Sequence, residues 1–131
     1  MHDKYYPTEA EEKLLKEIVD CAFKVHTKLG PGLLERIYEV CFCHELNKRN
    51  LKFLTQVKIP ITYDNILFDE GFRIDVLVED RIICELKAVN EHNAVFDAQI
   101  LSYLKLSKKH LGLLINFNVP LIKSGIKRFI I

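Results

Sequence analysis

Apolar and polar positions change their period several times along this chain. From Thr8 to Leu29, the residues Leu14, Leu15, Ile18, Ala22, Val25 and Leu29 recur at helical spacing, which predicts a helix with one face turned to a core. Thr8 can cap it, and Glu9, Glu11 and Glu12 lie near the positive end of its dipole. His26 sits beside the apolar stripe and reads as a structural histidine. Gly30-Pro31-Gly32 breaks the pattern, since Gly30 suits a left-handed C-cap and Pro31 a fresh helix start. A second helix is expected from about Gly32 to Arg49. Leu34, Ile37, Cys41 and His44 lie along one of its faces, and Glu35, Tyr38, Glu39 and Phe42 along another.

The period then shortens to two. Lys52 to Tyr63 reads as a strand in which Pro60 marks an edge position or a bulge. Asp64-Asn65 is a turn pair, and Gly71 is expected at a bend. Gly71 to Val89 reads as two strands joined by a short charged turn. A polar segment, Asn90 to Asn93, leads into a third helix over about Ala94 to Lys108. His110 to Phe117 is a near-continuous apolar run, as in a buried strand, and Ile126 to Ile131 a last short strand.

Three charged residues stand in the central hairpin where apolar ones are expected: Asp75, Glu85 and Lys87. Glu85 and Lys87 share a strand face. A three-residue loop, Glu79-Asp80-Arg81, would pair Val78 with Ile82 and set Asp75 opposite Glu85. Like charges so placed repel. A hard divalent cation, which takes carboxylate oxygens, water and phosphate as ligands, would relieve the repulsion. The competing reading is a solvated strand face, and a slip of one residue would move Asp75 to the other side of the sheet. Ile82, Ile83, Cys84 and Leu86 argue instead for a strand buried on both faces, where charge is costly unless paired or metal-bound.

Composition narrows the partners. The 131 residues suit a single domain spanning 1–131 with a real core, and a net charge of +1 provides no global basic field, so any phosphate-binding surface must be local. No apolar run is long enough for a membrane span, and the polar stretch Met1 to Lys13 lacks the apolar segment of a secretory signal, so a cytoplasmic protein is expected. Cys21, Cys41, Cys43 and Cys84 match no zinc or iron–sulfur spacing and read as reduced thiols. There is no Gly-rich phosphate loop and no spacing that suggests a Ser-His-Asp or Cys-His nucleophile.

The blocks Gly32-Leu33-Leu34-Glu35-Arg36-Ile37-Tyr38, GFRIDVLVED, IICELKAV, AQILSYLKL and HLGLLINF, in that order, resemble the GxxExxY proteins of the PD-(D/E)XK nuclease superfamily. The resemblance covers about residues 10 to 130. It implies an α/β fold with a restriction-endonuclease-like mixed β-sheet flanked by helices. It also implies a metal-dependent phosphodiester hydrolase. Asp75 corresponds to the first acid of the superfamily motif, and Glu85-Leu86-Lys87 to its E-x-K. Asp75 and Glu85 would bind Mg²⁺ or Mn²⁺, with the Leu86 carbonyl a further ligand and Glu35 completing the site directly or through water. Lys87 would orient the attacking water or stabilise developing charge. Gln99 and Tyr103 look like the Q-x-x-x-Y pair of the exonuclease-like branch and would position the site or contact the nucleic-acid backbone. Phe96 stands where many relatives have histidine, and Ile74 where a proline usually precedes the acid. The implied partner is nucleic acid, DNA ahead of RNA. Two other readings remain open: a module that binds nucleic acid or protein without turnover, and a homodimeric or heteromeric subunit that pairs through its C-terminal strand.

Overall fold

The first helix, α1, runs over Glu9–Leu29 and is closed at its start by a capping box. The Glu11 amide donates to Thr8 Oγ1 at 3.1 Å, and the Thr8 amide donates to Glu11 Oε1 at 2.9 Å. The computed structural model describes residues 4–131; residues 1–3, where the polar N-terminal stretch begins, lie outside it. Glu11 is buried yet well partnered, since it also accepts from the Tyr5 hydroxyl and from Arg81. Leu15, Ile18, Cys21, Ala22 and Val25 form the buried stripe. His26, also buried, donates through Nε2 to the Val119 carbonyl at 2.7 Å and ties α1 to the far loop.

Helix α2 spans Glu35–Lys48, so it begins at Glu35 rather than near Gly32. The cause lies in the backbone: Gly32 has φ +100, and Leu34 is extended, so neither belongs to a helix. Tyr38, Phe42 and Leu46 face the core, while Leu34 and Ile37 point outward.

Five strands follow: β1 (Phe53–Tyr63), β2 (Ile66–Val78), β3 (Ile82–Lys87), β4 (Leu111–Asn116) and β5 (Ile126–Ile130). Helix α3 (Ala94–Ser107) connects β3 to β4, and a 3₁₀ turn over Ile122–Gly125 precedes β5. The sheet order is β1-β2-β3-β4-β5, antiparallel throughout except for the parallel pair β3 and β4. A parallel pair needs a crossover, which α3 supplies. Cys84 and Leu86 of β3 pack with α1 and α2, whereas Ile83 packs with Ile100 and Leu104 of α3. The architecture is therefore α/β, a mixed sheet between a two-helix layer and a one-helix layer, in the restriction-endonuclease-like arrangement.

The β1–β2 hairpin is much longer than the rest of the sheet. Of β2, only Val76, Leu77 and Val78 pair with β3; the paired positions before them meet β1 alone. The strand also passes through Gly71, where a bend was expected. A register shift falls between Ile59 and Ile61, at Pro60, and a side chain at Gly71 would collide with the Ile59 carbonyl oxygen. Gly71 thus allows a close backbone approach across the bulge. Cys21, Cys41, Cys43 and Cys84 are free thiols. Among the described residues, no helix is long and apolar enough to cross a membrane.

Candidate active site

The Glu79-Asp80-Arg81 loop pairs Val78 with Ile82, and the ladder continues through Leu77–Ile83 to Val76–Cys84. The next pair in this register is Asp75 with Glu85, and there the backbone ladder stops. Side chains take its place. The Asp75 amide donates to Glu85 Oε1 at 3.1 Å, and the Leu86 amide donates to Asp75 Oδ2 at 2.9 Å. Each carboxylate therefore holds an amide of the opposite strand.

This arrangement concentrates negative charge in the middle of the molecule. Glu85 is 4% exposed. Burial, and then the charge of Asp75, push its carboxyl up to about 8; the hydrogen bond from the Asp75 amide and the proximity of Lys87 oppose the shift only in part. Glu35, the first residue of α2, also has its carboxyl pushed above the usual range, by partial burial and then by Asp75, with Lys87 pulling the other way. Tyr103 of α3 is buried, and its phenol is pushed up to about 12 by burial and then by Glu85 and Asp75. Residues from α2, β2, β3 and α3 thus share one electrostatic environment.

The donor chemistry of the pair suits a hard divalent cation. Both carboxyl groups supply oxygen donors, they are adjacent, and a cation would favour the ionised form of Glu85 that burial and Asp75 oppose. Among the described residues, no three His, Cys, Asp or Glu side chains come close enough to hold a metal ion by themselves. A pair of carboxylates completed by water and phosphate is the usual arrangement for Mg²⁺.

The sequence pattern of the PD-(D/E)XK nuclease superfamily matches residues 12–129. The chain belongs to that superfamily. No curated protein and no solved structure matches it. In this PD-(D/E)XK domain Asp75 lies on β2, and Glu85 and Lys87 lie on β3.

Lys87 forms no ion pair with either carboxylate among the described residues. Its ammonium instead lies 4.6 Å from the centroid of the Phe96 ring. Phe96 therefore has a physical task in this PD-(D/E)XK domain, because its ring face holds the lysine head at the border of the acidic cluster. Gln99 and Tyr103 are one turn apart on α3 and share a helix face. Tyr103 reaches the acidic pair electrostatically and packs edge-on against Phe72, with ring centroids 4.7 Å apart. Gln99 is half-buried, on the same helix as Tyr103.

Tyr38 is the residue that helical spacing did not single out as a determinant of the site. Its ring is fully buried and stacks on Phe117 at 4.7 Å. Its hydroxyl donates to the Gly30 carbonyl at 2.6 Å and accepts from the Leu33 amide at 3.1 Å. The spacing from Gly32 through Glu35 to Tyr38 now has a local explanation. Tyr38 clamps the turn before α2, and the clamp fixes where the helix starts and so where Glu35 stands. Tyr38→Phe keeps the ring and removes the clamp. We expect a loss of about 1–2 kcal/mol in stability by denaturant unfolding, with a several-fold fall in any cleavage rate. An unchanged cleavage rate would show that the position of Glu35 does not depend on Tyr38.

Proposed function

We propose that this domain is a divalent-metal-dependent nuclease that hydrolyses phosphodiester bonds. The observation that carries the reading is the reciprocal Asp75–Glu85 pair, in which Asp75 is half-buried and the buried Glu85 has its carboxyl raised to about 8. Asp75 and Glu85 would hold Mg²⁺ or Mn²⁺, the Leu86 carbonyl would be a further ligand, and Glu35 would complete the site directly or through water. A cation bound there would lower the pKa of a coordinated water and offset charge on the scissile phosphate. Lys87 orients the attacking water or stabilises charge that develops on the phosphoryl oxygens. Gln99 and Tyr103 position the site or contact the nucleic-acid backbone. Recognition through the backbone would give weak sequence preference and strong salt dependence. The substrate is nucleic acid, DNA ahead of RNA. Within the superfamily, the Gly32–Tyr38 signature supports placing the chain among the GxxExxY proteins.

The second reading is a nuclease-fold module that binds nucleic acid or a protein without turnover, and the net charge of +1 favours it. The position of Lys87 favours the first. A structural role for the cluster would have Lys87 paired to Glu85 or Asp75, and it rests on Phe96 instead.

Calorimetric titration of Mn²⁺ into the protein, with and without a short DNA duplex, tests the proposal. Saturable binding that disappears in Asp75→Asn is the expected result. If Mn²⁺ binds in neither sample, the metal site is wrong, and the module reading takes over.

A further inference from the structure

A cavity of about 350 Å³ opens beside Lys87, and neither Asp75 nor Glu85 lines it. It lies outside the carboxyl ends of β3 and β4, the parallel pair of the sheet. The chain leaves β3 for α3 and leaves β4 for the turn into β5, so the two connections diverge and leave a crevice between them. Such crevices are where α/β sheets commonly place ligands. The volume falls within the range of about 300–1,000 Å³ found for small-molecule sites.

The walls are fixed by specific bonds. Asn116, at the end of β4, donates through Nδ2 to the Val89 carbonyl at 3.0 Å and accepts from the Val89 amide at 3.1 Å. Its side chain thereby acts as an extra rung that holds the β3–α3 connection to β4. Asn118 donates to Asn90 Oδ1 at 2.6 Å and closes the same seam. On the opposite wall, the turn at Gly125 runs so close to β4 that a side chain there would collide with the Asn116 carbonyl oxygen. Lys127 is anchored to Asp97 at 2.9 Å, and His92 reaches the same carboxylate oxygen at 3.2 Å.

The lining has a definite chemical character. Leu114, Val119 and Ile126 supply an apolar floor. His92 and Phe96 supply aromatic rings, set edge to face at 6.3 Å. Asn90 and Ser124 supply hydrogen-bonding groups, and Lys87 and Lys127 supply positive charge. A flat heterocycle with a polar edge, attached to a phosphate, matches all four. Lys87 belongs both to this wall and to the carboxylate cluster, so a phosphate held at Lys87 would have its own nucleoside within reach of the cavity.

We propose that the cavity is a nucleoside subsite, which takes the base of the nucleotide adjoining the phosphate at Lys87. This rests on the nuclease reading for the identity of that phosphate, but its test does not require cleavage. Adenosine and uridine 5′-monophosphate are titrated into the full chain without metal, beside ribose 5-phosphate, and backbone amide NMR signals are followed. Stacking on aromatic rings predicts nucleotide binding roughly tenfold tighter than ribose 5-phosphate. Shifts should centre on residues 87–90, 114–119 and 124–127. Ser124→Trp, a change at an exposed rim position that fills the cavity, should remove the advantage of the nucleotide and leave the weak phosphate binding. Equal affinity for nucleotide and ribose 5-phosphate, shifts elsewhere on the surface, or an undiminished advantage in a folded Ser124→Trp protein would each overturn the proposal. If Ser124→Trp does not fold, Asn90→Ala takes its place, with a reduced nucleotide advantage expected. Base-dependent binding without metal-dependent cleavage would retain the subsite and reject the nuclease. Cleavage without base-dependent binding would do the reverse.

Discussion

Asp75→Asn is expected to lower metal-dependent cleavage by at least about 10³-fold while leaving the fold intact. The two halves of this expectation have separate causes. The carboxamide oxygen can still accept the Leu86 amide, now held by Asp75 Oδ2 at 2.9 Å, so the strand junction keeps its bond. What disappears is the negative charge, and with it a ligand for the cation. The same loss should be visible without any substrate. The charge of Asp75 is the second cause, after burial, of the raised Glu85 carboxyl, and it also raises Glu35 and Tyr103. In Asp75→Asn all three should titrate closer to their ordinary values. Cleavage rates together with an NMR pH titration of Glu85 check both consequences. A variant that cleaves as fast as the parent sinks the assignment of Asp75 to the metal. Asp75→Ala should be less informative, because it leaves a buried amide unpaired and costs about 1–3 kcal/mol of stability in addition.

The second expectation concerns stability against pH in the absence of metal. The Glu85 carboxyl is raised from an ordinary 4.5 to about 8 in the folded protein. Between those values the native state holds a proton that the unfolded chain releases. This contribution to stability is therefore complete below about 4.5 and is lost as the pH rises through about 8. With chelator present, the protein should unfold at a higher temperature at pH 5.5 than at pH 8.5. The difference should be on the order of 2–4 kcal/mol, or roughly 5–15 °C. Glu85→Gln should flatten the profile over this interval. Added Mn²⁺ should raise the melting temperature most at the alkaline end, where the carboxylate is already ionised. A parent profile that is level between the two pH values would show that the Glu85 carboxyl is not raised.

Much of this was legible in the sequence because it is local. The alternation around Gly71 to Val89 and a turn of three residues are enough to set Asp75 opposite Glu85, and Val78 does pair with Ile82. The capping box at Thr8 and Glu11, the bulge at Pro60 and the buried run of β3 also follow from near neighbours. The features that were not legible depend on groups far apart in the chain. Periodicity carried the second helix back to Gly32, but the backbone at Gly32 and the hydroxyl of Tyr38 delay it to Glu35. Spacing grouped Leu34 with Ile37, yet the opposite face, Tyr38 with Phe42, meets the core. Phe96 read as a departure from the motif until the ring was seen against Lys87, a partner from another element. Parity could place two carboxylates across from each other. That they replace the backbone ladder becomes visible only once both strands are in space.

That replacement makes two backbone protons into reporters. In an ordinary sheet the protection of an amide against solvent deuterium reflects the opening of the neighbouring strand. At Asp75 and Leu86 the acceptor is a side chain of the other strand, free to turn about its own bonds. Protection at these two positions should therefore follow the orientation and ionisation of the carboxylates, while Val78 and Ile82 a few residues away continue to follow the opening of the sheet. A cation that draws the carboxylate oxygens outward would release the two amides to exchange while the protein as a whole becomes more stable. Opposite changes at adjacent positions of one strand pair would give a residue-resolved signature of an occupied centre, readable without knowledge of the nucleic acid it acts on.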